Sequence, residues 1–291
     1  MPRDDDRSTF LVSTDWAAQH LTDPDVRFVE VDVDTAAYEQ GHMPGAVGFN
    51  WQTQLNSTLR RDIPTGREME HLLSTHGIGN DTIVALYGDN NNWFAAYAFW
   101  LLKYYGHRKV VLVDGGRKKW LAEGRPLETR VPTYPSSSYR VFGIDETLRV
   151  KRDDILRAVA AGSCNLVDVR SPAEYRGEII APPGMSETAQ RGGHIPGALN
   201  VPWSEAVNED GTFKAADRLK ELYEGRGLQP KRDTVSYCRI GERSSHTWFA
   251  LKYLVGYDNV RNYDGSWTEY GNLIDVPIEK GAAVQGSEKK V

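Results

Sequence analysis

The chain has 291 residues, of which 40% are hydrophobic and 26% charged, and its formal net charge is -5. This composition is typical of a soluble globular protein with one large domain or two ordinary ones, and the weak negative charge argues against nucleic acid or an anionic membrane as a partner. The longest apolar run, Trp93 to Leu102, has ten residues and is too short to span a bilayer.

The N-terminal stretch and the two cysteines favour a cytoplasmic location. "MPRDDDRSTF" is polar and acidic, without the apolar run of a signal peptide. Cys164 and Cys238 cannot build a disulfide framework, and sparse cysteine fits a reducing cytosol. No Cys/His cluster has the spacing of metal ligands, so we expect neither a metal nor a cofactor.

Short apolar segments alternate with longer, helix-like ones along the chain. This alternation favours α/β domains, each with a parallel sheet flanked by helices. Ligands of such sheets bind beyond the carboxyl ends of the strands. The predicted strands are residues 26–33, 81–88, 109–116, 164–170, 233–238 and 259–266, and the main predicted helices are residues 92–106 and 245–257, ending at Gly106 and Gly256.

The second half of the chain repeats the first. "GHMPGAVGFNW" (41–51) resembles "GHIPGALNVPW" (193–203), and His194 minus His42 gives an offset of 152. "VVLVDGGRKKW" (110–120) resembles "VRNYDGSWTEY" (260–270), and Asp264 minus Asp114 gives 150. Matches at nearly constant offset predict two homologous domains. Their bounds are residues 9–124 and 146–280, joined by a proline-containing linker at 125–145 and followed by a tail at 281–291.

The second repeat carries an insertion. Tyr38 and His42 are four residues apart, whereas the matching Tyr175 and His194 are nineteen apart. The extra residues fall in the loop 178–192, which is either functional or a surface excursion.

"YCRIGERSSH" (237–246) places Cys238 between a strand and a helix. Backbone N–H groups of such a turn and the helix N-terminus favour an anion. Arg239 and Arg243 add positive charge, and Gly241 supplies backbone freedom. We therefore expect a thiol with a lowered pKa that acts as a nucleophile. The matching position of the first repeat is Gly88, so only the second domain carries the thiol.

Two chemistries suit a nucleophilic cysteine in an anion-binding loop. In a phosphatase the thiolate attacks phosphate, but the tyrosine-phosphatase signature needs five residues between Cys and Arg. Cys238 and Arg243 are separated by four, and Ser244 stands at the required place. Sulfur transfer through a persulfide on Cys238 is the favoured alternative.

The chain resembles the rhodanese family, specifically its tandem-domain thiosulfate sulfurtransferases, over roughly residues 10–280. The motifs that carry the resemblance are "GHMPGA" (41–46), "DVRSPAEY" (168–175), "GHIPGA" (193–198), "CRIGERS" (238–244) and "YDGSWTEY" (263–270). The resemblance implies two tandem rhodanese-like domains, the first inactive and the second catalytic.

The resemblance also implies a two-step reaction. Cys238 would take the outer sulfur of thiosulfate, release sulfite, and pass the sulfur to a thiophilic acceptor such as cyanide, a thiol or a thiol protein. Arg243 and Arg239 would bind the donor. The remaining loop residues, which are Ile240, Gly241, Glu242 and Ser244, would cradle the persulfide.

The sequence departs from the animal members of the family at two positions. Ile240 and Glu174 stand where those proteins carry basic residues, so we expect Arg243 to take over the contact with the anion. On this view Arg243→Ala weakens donor use and leaves the stability of the fold nearly unchanged. Mercaptopyruvate as the donor, and a persulfide carrier that serves a protein partner, remain alternatives.

Other polar residues are assigned mainly structural roles. We expect Asp168 and Arg170 to form a buried pair, and His42 and His194 to be structural because both halves carry one. Asn90–Asn92 are expected to cap the following helix. His246 and Cys164 are predicted to be structural, with acid–base chemistry as the alternative for His246.

Overall fold

The computed structural model describes residues 9–32, 35–184 and 188–281. By internal contact the chain forms two compact units. The first extends to Leu148 and includes Val207–Ala215, and the second begins at Arg149. Of the predicted tail, residues 282–291 lie outside the described residues, as do residues 185–187 of the predicted insertion.

The first unit is built on a five-stranded parallel sheet with the strand order β1-β5-β4-β2-β3. β2 and β4 are buried almost along their whole length, which explains their continuous apolar runs. The strands are β1 (Leu11–Val12), β2 (Val26–Asp32), β3 (Val47–Asn50), β4 (Ile83–Tyr87) and β5 (Val110–Val113). The helices are α1 (Thr14–Gln19), α2 (Ala36–Gln40), α3 (Trp51–Gln54), α4 (Gly66–Thr75), α5 (Asp89–Tyr104) and α6 (Gly116–Ala122), with a 3₁₀ turn at Glu146–Leu148.

The second unit repeats this plan with a four-stranded parallel sheet in the order β7-β6-β8-β9. Its core includes Tyr237, Tyr263, Trp267 and Tyr270. The strands are β6 (Asn165–Asp168), β7 (Leu199–Asn200), β8 (Thr234–Tyr237) and β9 (Val260–Asn262). The helices are α7 (Arg152–Ala161), α8 (Pro172–Arg176), α9 (Ala216–Gly225), α10 (Glu242–Phe249), which continues as a π-helical segment at Ala250–Val255, and α11 (Ser266–Tyr270), with a 3₁₀ turn at Trp203–Ala206.

The parallel sheets and all six predicted strands are confirmed, and the short strands β1, β3 and β7 were not predicted. Gly256 ends the second main helix with φ of 85°, a conformation that favours glycine. The predicted linker packs against the first unit. Tyr139 is buried, and the Ser137 N–H donates to the Ser74 carbonyl (2.9 Å). By contact, the first unit therefore includes this segment and ends later than residue 124.

Candidate active site around Cys238

Cys238 follows directly on β8, at the carboxyl end of the sheet of the second unit. The turn Arg239–Gly241 then leads into α10, so the backbone N–H groups of the turn and the helix start surround one point. Gly241 has φ of 101°, and a Cβ there would lie 2.8 Å from Cα of Asp264. Only glycine allows this turn, and the tight turn encloses the Cys238 side chain completely (0% exposed).

The sulfur of Cys238 lies between hydrogen-bond donors and a carboxylate. The Gly241 N–H donates to Sγ (3.1 Å), and the thiol donates to Oε2 of Glu242 (3.3 Å). The Ser266 hydroxyl lies 4.0 Å from Sγ. These contacts show that the turn holds the sulfur by hydrogen bonds on one side and against a buried acid on the other.

The electrostatic balance at the sulfur differs from the expectation. Burial raises the pKa of the Cys238 thiol, and the Glu242 carboxylate raises it further. Arg243 and hydrogen bonds from Ser244 act in the opposite direction without reversing the shift. The predicted lowering of this pKa is therefore wrong, because the sequence reveals the arginines and the turn but not the burial.

Arg243 does not present a free guanidinium to the site. Its Nη1 and Nη2 donate to the two carboxylate oxygens of Glu174 (3.1 and 3.2 Å), and both side chains are buried. Its Nε lies 3.8 Å from Oε1 of Glu242. Truncating Arg243 would leave Glu174 as a buried, unpaired charge, so the expectation that Arg243→Ala leaves stability unchanged is wrong.

Glu174 reaches Arg243 from the first turn of α8. It also accepts from the N–H and hydroxyl of Ser171 (3.0 and 2.9 Å), which forms the capping box of that helix. Burial alone would raise the pKa of this carboxyl, but Arg243 and the hydrogen bonds from Arg243 and Ser171 outweigh burial and lower it. Glu174 is therefore ionised and stabilises Arg243 as a cation.

The remaining predicted loop residues are all buried, but they differ in their contacts. The Ser244 hydroxyl donates to the side-chain oxygen of Asn262 (2.6 Å), which fixes the first turn of α10 on β9. Arg239 and Ile240 are 7% and 4% exposed. Of the predicted loop residues, Gly241, Glu242 and Ser244 are those that hydrogen-bond to the sulfur.

Ser266 belongs to the motif "YDGSWTEY", but no sequence signal indicated its contact with Cys238. Its hydroxyl accepts from the Cys238 N–H (3.0 Å) and donates to the Tyr263 carbonyl (2.7 Å). Its φ is 51°, which is uncommon for a residue other than glycine. The N–H groups of Trp267 and Thr268 donate to the carbonyls of Cys238 and Arg239 (both 3.0 Å). The start of α11 thus anchors the Cys238 backbone.

Asp264 lies against the other side of the turn, where it packs on Gly241. Arg149 holds it by two hydrogen bonds of 2.8 Å to the two carboxylate oxygens. The motif "YDGSWTEY" marked this segment, but no sequence signal indicated Arg149, which is 115 residues away.

The residues assigned structural roles are placed accordingly. Arg170 and Asp168 form a fully buried pair (2.6 Å), as predicted. His42 and His194 stack on Tyr38 and Tyr175 with ring centroids 3.9 and 3.6 Å apart, and the Nδ1 of each bonds to the carbonyl of the same tyrosine. These matching contacts in the two units agree with a structural role for both histidines. His246 is buried, and burial lowers its pKa to about 3. Cys164 packs at the edge of the core of the second unit.

The corresponding turn of the first unit, Gly88–Asn92, is closed by an amide. The Gly88 N–H donates to Oδ1 of Asn92 (3.0 Å), and Nδ2 of Asn92 donates to the Val113 carbonyl (2.7 Å). Asn90–Asn92 have φ of 52°, 53° and 67°, so regular helix begins only after them. Asn90–Asn92 were predicted to cap the helix, but Asn92 instead closes the turn through its side-chain amide.

The structure describes residues 9–32, 35–184 and 188–281. Within these ranges, no group of three or more His, Cys, Asp or Glu side chains is placed to hold a metal ion. No helix in the same ranges is long and apolar enough to cross a membrane.

Comparison with known proteins gives consistent results. The model of the rhodanese-like domain matches residues 13–123 and again residues 151–273. A Haloferax volcanii protein, provisionally named a thiosulfate sulfurtransferase, is 54% identical over 97% of this chain and 100% of its own. The sulfur carrier protein TtuD of Thermus thermophilus is 56% identical over 93% of this chain and 96% of its own.

A solved structure extends the comparison to the fold. The Escherichia coli protein SseA, described as a 3-mercaptopyruvate sulfotransferase with the rhodanese fold, matches with a TM-score of 0.78 and 28% identity. The match covers 89% of this chain and 99% of SseA.

Proposed function

This chain belongs to the rhodanese family, and on that premise we propose that it is a sulfurtransferase. It moves the outer sulfur of thiosulfate, through a persulfide on Cys238, to a thiophilic acceptor such as cyanide or a thiol. The observation that carries the proposal is the placement of Sγ of Cys238 at the end of β8, 3.1 Å from the Gly241 N–H. A turn that donates hydrogen bonds to one sulfur suits a sulfur anion.

In the first step, the sulfur of Cys238 attacks the outer sulfur of thiosulfate. The S–S bond of the donor breaks, and sulfite leaves with the electron pair. In the second step, the acceptor attacks the terminal sulfur of the persulfide, and the electron pair of that S–S bond returns to Cys238. The reaction needs no external oxidant or reductant, because the sulfur moves at the same oxidation level.

Thiosulfate is the donor that the names of the relatives favour, since several of them are provisionally named thiosulfate sulfurtransferases. The name of TtuD favours a second possibility, in which the persulfide serves a protein acceptor. The SseA match keeps mercaptopyruvate as a donor to be tested. The position of Arg239 directly after Cys238 in the chain favours a charged inorganic donor over mercaptopyruvate.

The deciding experiment incubates the full chain with thiosulfate alone. We expect one sulfite per chain and a mass gain of one sulfur on the peptide that contains Cys238. Cys238→Ser should lower sulfite release by at least about 10⁴-fold, as expected for loss of a nucleophile. Cys164→Ser is the matched control and should release sulfite normally, because Cys164 precedes β6 and Cys238 follows β8, at opposite ends of two parallel neighbouring strands.

Three other outcomes have distinct meanings. If neither sulfite nor a mass gain appears, thiosulfate is not the donor. Pyruvate formed from mercaptopyruvate, together with the same mass gain, would identify the other donor. Rapid loading followed by slow transfer to cyanide and fast transfer to a thiol protein would identify a carrier.

A further inference from the structure

Glu242 is an acid enclosed in the same turn as the proposed nucleophile. It is the first residue of α10 and is 2% exposed. Its Oε2 lies 3.3 Å from Sγ of Cys238, and its Oε1 lies 3.8 Å from Nε of Arg243. A carboxylate in this position opposes formation of a thiolate, so its place in a turn that binds sulfur anions needs a chemical explanation.

Burial and the charges around the sulfur favour the protonated form of Cys238 at rest. Burial and Glu242 both raise the pKa of the thiol, and Arg243 offsets them only in part. Glu174 compensates Arg243 through two hydrogen bonds. On the opposite side of the turn, Asp264 is paired with Arg149. The thiol must therefore lose its proton while it reacts.

The contacts of Sγ identify the group that receives this proton. Gly241 and Ser244 present N–H donors, and Ser266 presents a hydroxyl that already donates to a carbonyl. Of these neighbours only Glu242 is a base, and its Oε2 lies 3.3 Å from Sγ, within hydrogen-bonding distance of the thiol. Geometry within hydrogen-bonding reach is the first requirement for general-base catalysis.

We infer that Glu242 accepts the proton of the Cys238 thiol as this sulfur attacks the sulfur donor. The inference rests on the proposed function and adds a catalytic residue to it. The S–H bond breaks, a bond forms between Sγ and the outer sulfur of the donor, and sulfite leaves with the electron pair of the donor S–S bond. The proton remains on Oε2 of Glu242.

The same proton completes the cycle. While the persulfide exists, the neutral Glu242 carboxyl no longer repels the anionic terminal sulfur, and it can donate a hydrogen bond to it. When the acceptor removes that sulfur, Cys238 is released as a thiolate, and Glu242 returns the proton to it. The charge of the turn is then restored without net exchange with solvent.

Glu242→Gln in the full chain tests the inference, because the two roles of the carboxylate predict opposite signs. A carboxylate that only repels the thiolate slows the reaction, so Gln would speed sulfite release near neutral pH. A carboxylate that accepts the proton speeds the reaction, so Gln would slow sulfite release. We expect Gln to slow single-turnover sulfite release near neutral pH by about 10²-fold. The rate of the variant should also rise by about tenfold per pH unit until the thiol is ionised.

The matched control is Glu221→Gln, which removes a carboxylate that is paired with Arg218 on the exposed face of α9. It should release sulfite at the wild-type rate. Equal or faster release by Glu242→Gln would overturn the inference. If the Gln variant does not fold, the wild-type protein decides the question, because sulfite release should be slower in heavy water and an unchanged rate would exclude proton transfer in that step.

Alkylation of Cys238 by iodoacetamide separates this inference from the proposed function, because it needs no sulfur donor. Proton transfer to Glu242 predicts that the alkylation rate of the wild-type protein does not depend on pH near neutral pH. In Glu242→Gln this pH independence should be lost, and the alkylation rate should rise with pH. If the wild-type protein shows this behaviour but releases no sulfite, the donor assignment fails and the role of Glu242 stands. If both proteins release sulfite equally, the role of Glu242 fails and the function stands.

Discussion

The two units share a fold and differ in the turn that follows β4 in the first unit and β8 in the second. In both, a tyrosine at the end of that strand accepts a backbone N–H: Tyr87 from Met43 (3.0 Å) and Tyr237 from Ile195 (3.1 Å). After Tyr87 the turn is closed by Asn92, and after Tyr237 it is closed around Cys238. The fold therefore requires closure of the turn but does not require a thiol there.

The charges near the two turns differ as well. In the first unit, burial raises the pKa of Asp32 to about 8, and Glu30 also has a raised pKa in spite of its pair with Arg117. In the second unit, the pKa of Glu174 is lowered beside Arg243. Asp32 in the first unit thus resists ionisation, whereas Glu174 in the second unit stays ionised and keeps Arg243 near the sulfur.

The strongest test of the comparison moves the thiol from one turn to the other. In Gly88→Cys/Cys238→Ser we expect no sulfite release above that of Cys238→Ser. A Cβ at position 88 would overlap the Val31 carbonyl oxygen and lie 3.1 Å from Oδ1 of Asp32. The crowding should also destabilise the protein by about 1–3 kcal/mol in urea denaturation.

Gly143→Cys is the control for this exchange, because it adds a thiol to the first unit where no atom beyond the two adjacent residues lies within 4 Å of the new Cβ. It should keep the stability of the wild-type protein. Sulfite release by the double variant would show that the first turn already forms a working site and that only the thiol is missing.

A smaller effect on sulfite release is expected from replacing the carboxylate of one buried ion pair in each unit. Glu174→Gln and Glu30→Gln each remove the carboxylate that hydrogen-bonds to a buried arginine, so each should lower the free energy of unfolding by about 3 kcal/mol. Only Glu174→Gln should also slow sulfite release, since Arg243 loses the partner that fixes it beside Glu242. Single-turnover kinetics of the two variants, measured side by side, checks this. An equal loss of rate in both would mean that the ion pairs act only through stability.

The smallest effect concerns pH. A carboxyl with a raised folded pKa stabilises below its unfolded pKa, and that contribution is lost as pH rises through the folded value, here about 8 for Asp32. Asp32→Asn should therefore raise the stability relative to wild type above pH 8 by about 1 kcal/mol, or about 3 °C in Tm. Asn retains the oxygen that accepts the Asp89 N–H (2.9 Å).

Thermal unfolding of both proteins on the acid side and above pH 8 gives the measurement. The gain in stability of Asp32→Asn over wild type should shrink toward acid pH, where Asp32 is protonated in both the folded and the unfolded state. Glu174 behaves in the opposite way, because its folded pKa is lowered: its contribution is present above the usual glutamate range and is lost as pH falls. A gain for Asp32→Asn that does not vary with pH would refute the effect of its ionisation.

The sequence predicted the duplicated α/β fold because apolar runs and repeated motifs are local signals. It also located Cys238 and the turn, since Gly241 and the strand–helix junction are adjacent to it in the chain. The pair Asp168–Arg170 was predictable for the same reason, as the two residues are two positions apart.

The electrostatic state of the site was not predictable from local signals. Arg243 is paired across 69 residues with Glu174, and the backbone of Cys238 bonds across 28 residues to Ser266. Burial of the turn, which sets the direction of the thiol pKa, depends on packing from several elements. The loop arginines therefore suggested a more positive site than the folded chain provides.

The complete burial of Cys238 also determines how the protein withstands oxidants. Peroxide converts exposed thiolates to sulfenic acid and then, irreversibly, to sulfinic acid. Burial raises the pKa of Cys238, so the resting protein disfavours the ionised form that peroxide attacks. Enclosure in the turn thus preserves the thiol chemically between turnovers, and a small reactant admitted to the turn meets it in the reduced state.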